Sequence, residues 1–241
     1  MQTSAQLIKG SDVKVEVGTV LSYRPLLDAE AWHEGLLNEF ASEEMGDSYH
    51  ELGLTRVSSW LQRDPDAAII RWEGSDVDTL FERWAASSNP VLARWRGQFR
   101  VNSGPQEAEN FWDASRHRLF SWTSEEEGED SEIRVFRGTS EMQSLFRLYE
   151  DVSNDNAHFE AFDRIRRSQG FTRIETWTQQ VGEETLMLNL FEAHDLASSL
   201  LQVESESNSF DRRLMDTRRA AVEGPPLLAH HPGKLIADWR G

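Results

Sequence analysis

The chain contains no cysteine. Disulfides, thiolate nucleophiles, cysteine-ligated zinc and iron–sulfur clusters are thereby excluded together. No stretch approaches the ~20 apolar residues that a membrane-spanning helix needs, and Met1 to Val13 lacks the apolar run of a signal peptide. Positive charge is scarce: 25 Lys and Arg stand against 42 Asp and Glu, for a formal charge of −17. Such a surface repels nucleic-acid phosphates and anionic membranes, so neither is expected as a partner. No glycine-rich phosphate loop and no nucleophile-elbow serine is present. The only histidine cluster is His230-His231. Adjacent histidines point apart, and zinc sites need three or four ligands at recognisable spacing, so neither metal nor cofactor is expected. These absences together read as a soluble, cytoplasmic protein.

What the chain does have is a sequence written twice. Gly53-Leu54-Thr55-Arg56-Val57-Ser58-Ser59-Trp60-Leu61-Gln62 recurs as Gly170-Phe171-Thr172-Arg173-Ile174-Glu175-Thr176-Trp177-Thr178-Gln179. Glu73, Asp76, Asn89 and Arg94 recur as Glu192, Asp195, Asn208 and Arg213. The period is domain-sized, so two fused domains are expected rather than a solenoid. The boundaries read as 1–124 and 132–241, joined by an acidic linker over 125–131 that should stay solvated.

Each copy has the same order of elements. Val13 to Tyr23 alternates as a strand, and Ala29 to Glu51 carries Trp32, Leu36, Leu37 and Phe40 at helical spacing up to the stop at Gly53. Leu54–Arg63 and Ala67–Glu73 form a hairpin about Asp64-Pro65-Asp66. Ser75 or Asp76 can cap a helix through Leu80 and Trp84, Asn89-Pro90 starts another, and His117–Ser124 supplies a last strand. In the second copy Ile133–Arg137 is a strand, and the helical stretch Glu141–Ser168 breaks near Ser153–Asn156. Phe171–Gln180 and Thr185–Glu192 form the hairpin, helices begin at Asp195 and Asn208, and Leu235–Trp239 mirrors the last strand. Ser103-Gly104-Pro105 and Glu223-Gly224-Pro225 read as loops. Each half is therefore β-α-β-β-α-β, a ferredoxin-like α+β domain with a four-stranded antiparallel sheet.

With this order and duplication the chain resembles the dimeric α/β-barrel superfamily, whose members include cofactor-independent antibiotic-biosynthesis monooxygenases and stress-responsive barrel proteins. The resemblance implies two sheets packed face to face as a pseudo-dimeric barrel within one chain: a monomer with internal two-fold symmetry, open to further oligomerisation. It assigns no catalytic residue, because the Asn-Trp-His constellation of the monooxygenases has no counterpart here.

Hairpin arithmetic goes further. A turn centred between Asp64 and Pro65 sets Arg56 opposite Glu73, and one centred between Gly182 and Glu183 sets Arg173 opposite Glu192. Opposed side chains lie within reach of one another, which predicts two cross-strand Arg–Glu pairs. Trp60 and Trp177 share the face of their respective arginines, four residues on. The candidate ligand-binding set is therefore Arg56, Trp60, Glu73, Arg173, Trp177 and Glu192, around a small apolar or anionic molecule between the sheets. Two other readings stand beside it: a cofactor-independent monooxygenase or isomerase, and an interaction module whose sheets pack shut on those ion pairs.

Overall fold

The computed structural model describes residues 18–63, 65–124, 126–205, 209–223 and 233–241. Val13 to Val17, Asn208, Gly224-Pro225 and His230-His231 lie outside them. The first half holds β1 (Gly18–Pro25), α1 (Ala29–Phe40), α2 (Glu43–Glu51), β2 (Leu54–Gln62), β3 (Ala67–Gly74), a short 3-10 turn, α3 (Leu80–Ala86), α4 (Pro90–Ser103), α5 (Pro105–Asp113) and β4 (Arg116–Thr123). The second holds β5 (Asp130–Arg137), α6 (Met142–Asn154), α7 (Asn156–Ser168), β6 (Phe171–Val181), β7 (Glu184–Ala193), α8 (Leu196–Ser205), α9 (Ser209–Ala221) and β8 (Lys234–Arg240).

The repeated glycine now has a reason. Gly53 and Gly170 follow the helices with φ of +72° and +83°, the left-handed conformation that ends a helix and that side chains resist. Asn89 caps α4 as expected, accepting from Val91 N at 2.9 Å and Leu92 N at 3.4 Å. Asn89→Ala should lower stability by about 1 kcal/mol in urea unfolding; an unchanged midpoint would show that the cap is idle.

Three local expectations need correction. The single helix over 29–51 is two, because Ser42 turns extended (φ −87°, ψ 125°) before α2. Pro105 opens a further helix where a loop was expected, since proline suits the first helical position. Asp76 makes no capping bond and sits in the left-handed region at φ +53°.

Two four-stranded antiparallel sheets form, in the orders β1-β3-β2-β8 and β4-β6-β7-β5. The halves exchange their last strands: β8 pairs with β2, and β4 pairs with β6. The β-α-β-β-α-β order is as expected, but each sheet is completed by the other half. Ile133 bridges Gly233, joining β5 to the start of β8, and at the opposite seam β1 lies against β4 and β6. There the Gln179 amide imitates a strand: Tyr23 N donates to its Oε1 at 2.7 Å and its Nε2 donates to Tyr23 O at 2.8 Å.

The outer faces carry the helices. Under those of the first half, Trp72 packs edge-on to Trp84, Phe81 and Tyr49, and Trp32, Trp95 and Phe99 continue the cluster. Between the sheets, Trp60, Ile69, Ile133, Leu188 and Leu190 are wholly buried in one shared core. The acidic run is not a free tether. Ser124 N donates to Thr172 O, Glu126 Oε2 lies 2.8 Å from His194 Nε2, and a Cβ on Gly128 would strike Thr172 and Ala193.

Candidate functional site

The hairpin registers are those the arithmetic predicts: Arg56 opposes Glu73, and Arg173 opposes Glu192. The ion pairs are not. Arg173 Nη1 crosses to Glu73 Oε1 of the facing sheet at 2.7 Å, and Arg71 Nη1 crosses the other way to Glu192. Arg71 Nε also lies 3.6 Å from Glu73, and its Nη2 donates to Ser58 Oγ at 3.2 Å. Arg56 turns outward and grips Asp238 on β8 with two bonds, of 2.8 and 3.1 Å. Register fixes which Cβ atoms are neighbours. It does not fix where a long guanidinium stem goes when a second sheet lies as close as the next strand.

Arg173 also donates to Glu175 at 2.6 Å and to Thr19 Oγ1 at 3.0 Å, and Trp177 Nε1 donates to Glu175 Oε2 at 2.9 Å. Burial alone would lower the Arg173 guanidinium; Glu175, Glu73 and Glu192 outweigh it and hold it above the ordinary arginine value. Trp60 lies under Arg71, 5.6 Å from ring centre to guanidinium carbon. Arg71, Ser58 and Trp60 expose no surface even to a water-sized sphere, so no open space adjoins them. All six candidate residues thus belong to, or flank, an ionic clasp between the sheets.

Trp177 also forms part of an open cleft. At the β1–β4 seam a space of about 730 Å³ is lined by Gly18, Thr19, Arg116, His117, Arg118 and Trp177 and by Ser75 to Asp78. The Arg118 guanidinium lies 5.8 Å from the Trp177 ring centre, and β4 sets Arg118 opposite Trp177. His117 Nε2 lies 2.7 Å from Ser115 Oγ. Arg116 is wedged between Phe81 and Phe111 and donates to the carbonyls of Ala114 and Phe111. Burial lowers it to about 9, still charged at neutral pH. The signal for this wall was present in the sequence: Arg116-His117-Arg118 is a basic triplet in a chain of charge −17. Among the described residues no cluster of three or more metal-ligating side chains occurs, and no helix is long and apolar enough to cross a membrane.

No family model and no curated protein matches the chain. Solved structures do. An anthrone oxidase-like protein is similar over 95% of this chain and 94% of its own, with a TM-score of 0.53 at 12% identity. A candidate monooxygenase of Fusobacterium nucleatum covers 93% and 94% at TM-score 0.52 and 10% identity. One from Lactobacillus acidophilus covers 92% and 96% at 0.53 and 10%. At this identity the likeness is one of fold: α+β, with two four-stranded antiparallel sheets, over nearly the whole of each chain.

Proposed function

We propose that this chain binds a small molecule with an anionic group in the cleft at the β1–β4 seam, between the two sheets. The observation that carries the proposal is the Arg118 guanidinium set over Trp177 at the edge of a 730 Å³ space, a volume in the range of small-ligand sites. A cation stacked on an indole presents a flat surface and a fork of donors to a planar, negatively charged ligand. Asp76 and Asp78 also line the space. The best-matched ligand therefore carries an anionic group for Arg118 and a hydrogen-bond-donating group for these carboxylates. Trp177 is the member of the candidate set that touches the ligand. Arg56, Trp60, Glu73, Arg173 and Glu192 hold the barrel shut behind it. The same reading makes the chain a single-chain, cytoplasmic counterpart of a two-subunit α/β barrel.

Mass spectrometry of small molecules released from the native protein tests this directly. A stoichiometric organic anion is expected, and Arg118→Ala, an exposed position, should weaken its binding roughly 10–100-fold, the worth of a hydrogen bond to a charged group. An empty protein, unmoved in melting temperature by a panel of aromatic and aliphatic carboxylates, would overturn the proposal. An oxidase reading draws on the names of the fold neighbours and on His117, an imidazole that lines the same cleft. Oxygen uptake with an anthrone, lost in His117→Ala, would favour it over simple binding.

A further inference from the structure

The two halves differ most in what lies between helices and sheet. At the 119-residue offset, Trp72, Phe81, Trp84, Trp95 and Phe99 of the first half become Phe191, Leu200, Val203, Leu214 and Arg218 of the second. Four large rings give way to smaller apolar side chains, and the fifth to a guanidinium. The space left is a cavity of about 20 Å³, walled by these residues with Tyr149, Phe162, Phe171, Ile174 and Met215. Arg218 lines it while only 5% exposed.

Arg218 differs from most of the other buried arginines. Arg166 is matched by Asp211, Arg134 by Glu132 and Arg71 by Glu192. Arg24, fully buried and without a carboxylate, is held by Ser103 Oγ, the Phe99 carbonyl and the faces of Trp32 and Phe99. Among the described residues, Arg218 Nε and Nη2 meet no hydrogen-bond acceptor and no carboxylate pairs with it; its guanidinium lies 5.8 Å from the Phe191 ring centre. Burial first, with Arg166 and Arg134 adding to it, pulls its guanidinium below the ordinary value, against an opposing contribution from Tyr149. Arginine keeps its proton in proteins, so the charge stays and must be answered. Behind the cavity wall, two more donors lack a partner among the described residues: Arg134 Nη1 and Asn189 Nδ2, on residues opposed across β5 and β7.

We infer that this interlayer cavity is a site for one small monovalent anion, of halide or short-carboxylate size, held by Arg218. Size decides the class. A space of about 20 Å³ takes little more than a water-sized body, so an anion with an apolar tail is excluded. Sign decides the rest, because the unmatched charge is positive and the free groups are donors. The site is separate from the seam cleft and stands or falls independently of it.

The test uses the intact chain. Melting temperature is followed against sodium chloride, bromide, nitrate or formate, with sodium gluconate, too bulky to enter, holding ionic strength constant. A saturable rise is expected for at least one of the four, roughly 3–6 °C at tenfold the dissociation constant. Arg218→Met fills the space without charge and should abolish the dependence on anion identity. If that variant does not fold, chloride-35 line broadening on the parent protein and a bromide-soaked crystal give the answer without it. A bromide or carboxylate peak beside Arg218 is the expected result; a carboxylate without bromide identifies the organic class. A flat response to all four anions, or ordered water alone against Arg218, overturns the inference.

Discussion

Replacing Arg71 with leucine should lower folding stability by about 3–5 kcal/mol, the usual cost of removing one partner from a buried ion pair. Shape contributes little, because leucine already stands at the equivalent position of the other copy, Leu190. What is lost is charge. Arg71 is fully buried, and it is the cation against Glu192, the second cation beside Glu73 and the donor to Ser58. Without it, three mostly buried carboxylates, Glu73, Glu175 and Glu192, share Arg173 alone. Arg71→Leu combined with Glu192→Leu should recover part of the loss, with a coupling on the order of 1–3 kcal/mol in a double-mutant cycle. Urea unfolding of the four proteins measures both quantities. A single variant within about 0.5 kcal/mol of the parent would show that the clasp contributes little to stability.

The clasp also marks where the sequence stopped being legible. Strand register in a hairpin depends only on where the turn falls, so the opposition of Arg56 to Glu73 and of Arg173 to Glu192 followed from two turn positions. Partner choice depends on the second sheet, and nothing local to either hairpin announces it. A compensation between the sheets is visible only afterward. Ser58 opposes Asp238 in one sheet and Ser121 opposes Glu175 in the other, so Arg56 finds its carboxylate on the neighbouring strand β8 and Arg173 on its own strand β6. The exchange of β4 and β8 was equally hidden, because β-α-β-β-α-β order is the same whether a half keeps its last strand or lends it. The anion cavity was hinted at by composition. Eight of the nine tryptophans lie outside the helix-facing core of the second half, Trp122 being the exception.

The halves, produced separately as 1–124 and 125–241, should not fold alone, and together they should assemble one to one. Each fragment alone leaves the outer edge of β2 or β6 without its neighbour and carries an orphan strand with nothing to pair. Each also exposes the inner face whose core residues, Trp60 and Ile69 on one side and Leu188 and Leu190 on the other, are buried only by the partner sheet. A fragment could answer this by pairing with a second copy of itself, and the charges argue against that. The first half brings Arg56, Arg71 and Glu73 to the clasp and its rim; the second brings Arg173, Glu175, Glu192, Asp238 and Arg240. By that count the native pairing is neutral, a homodimer of the first half carries +2 and one of the second −2. Like charges brought together at the clasp discriminate between partners more sharply than the apolar faces do. Mixing labelled fragments should therefore give the heterodimer in large excess, with native near-ultraviolet circular dichroism from the tryptophans and with greater selectivity at low salt. A sharp, cooperative unfolding transition from either fragment as a monomer would mean that the exchanged strands are dispensable and that each half is self-sufficient.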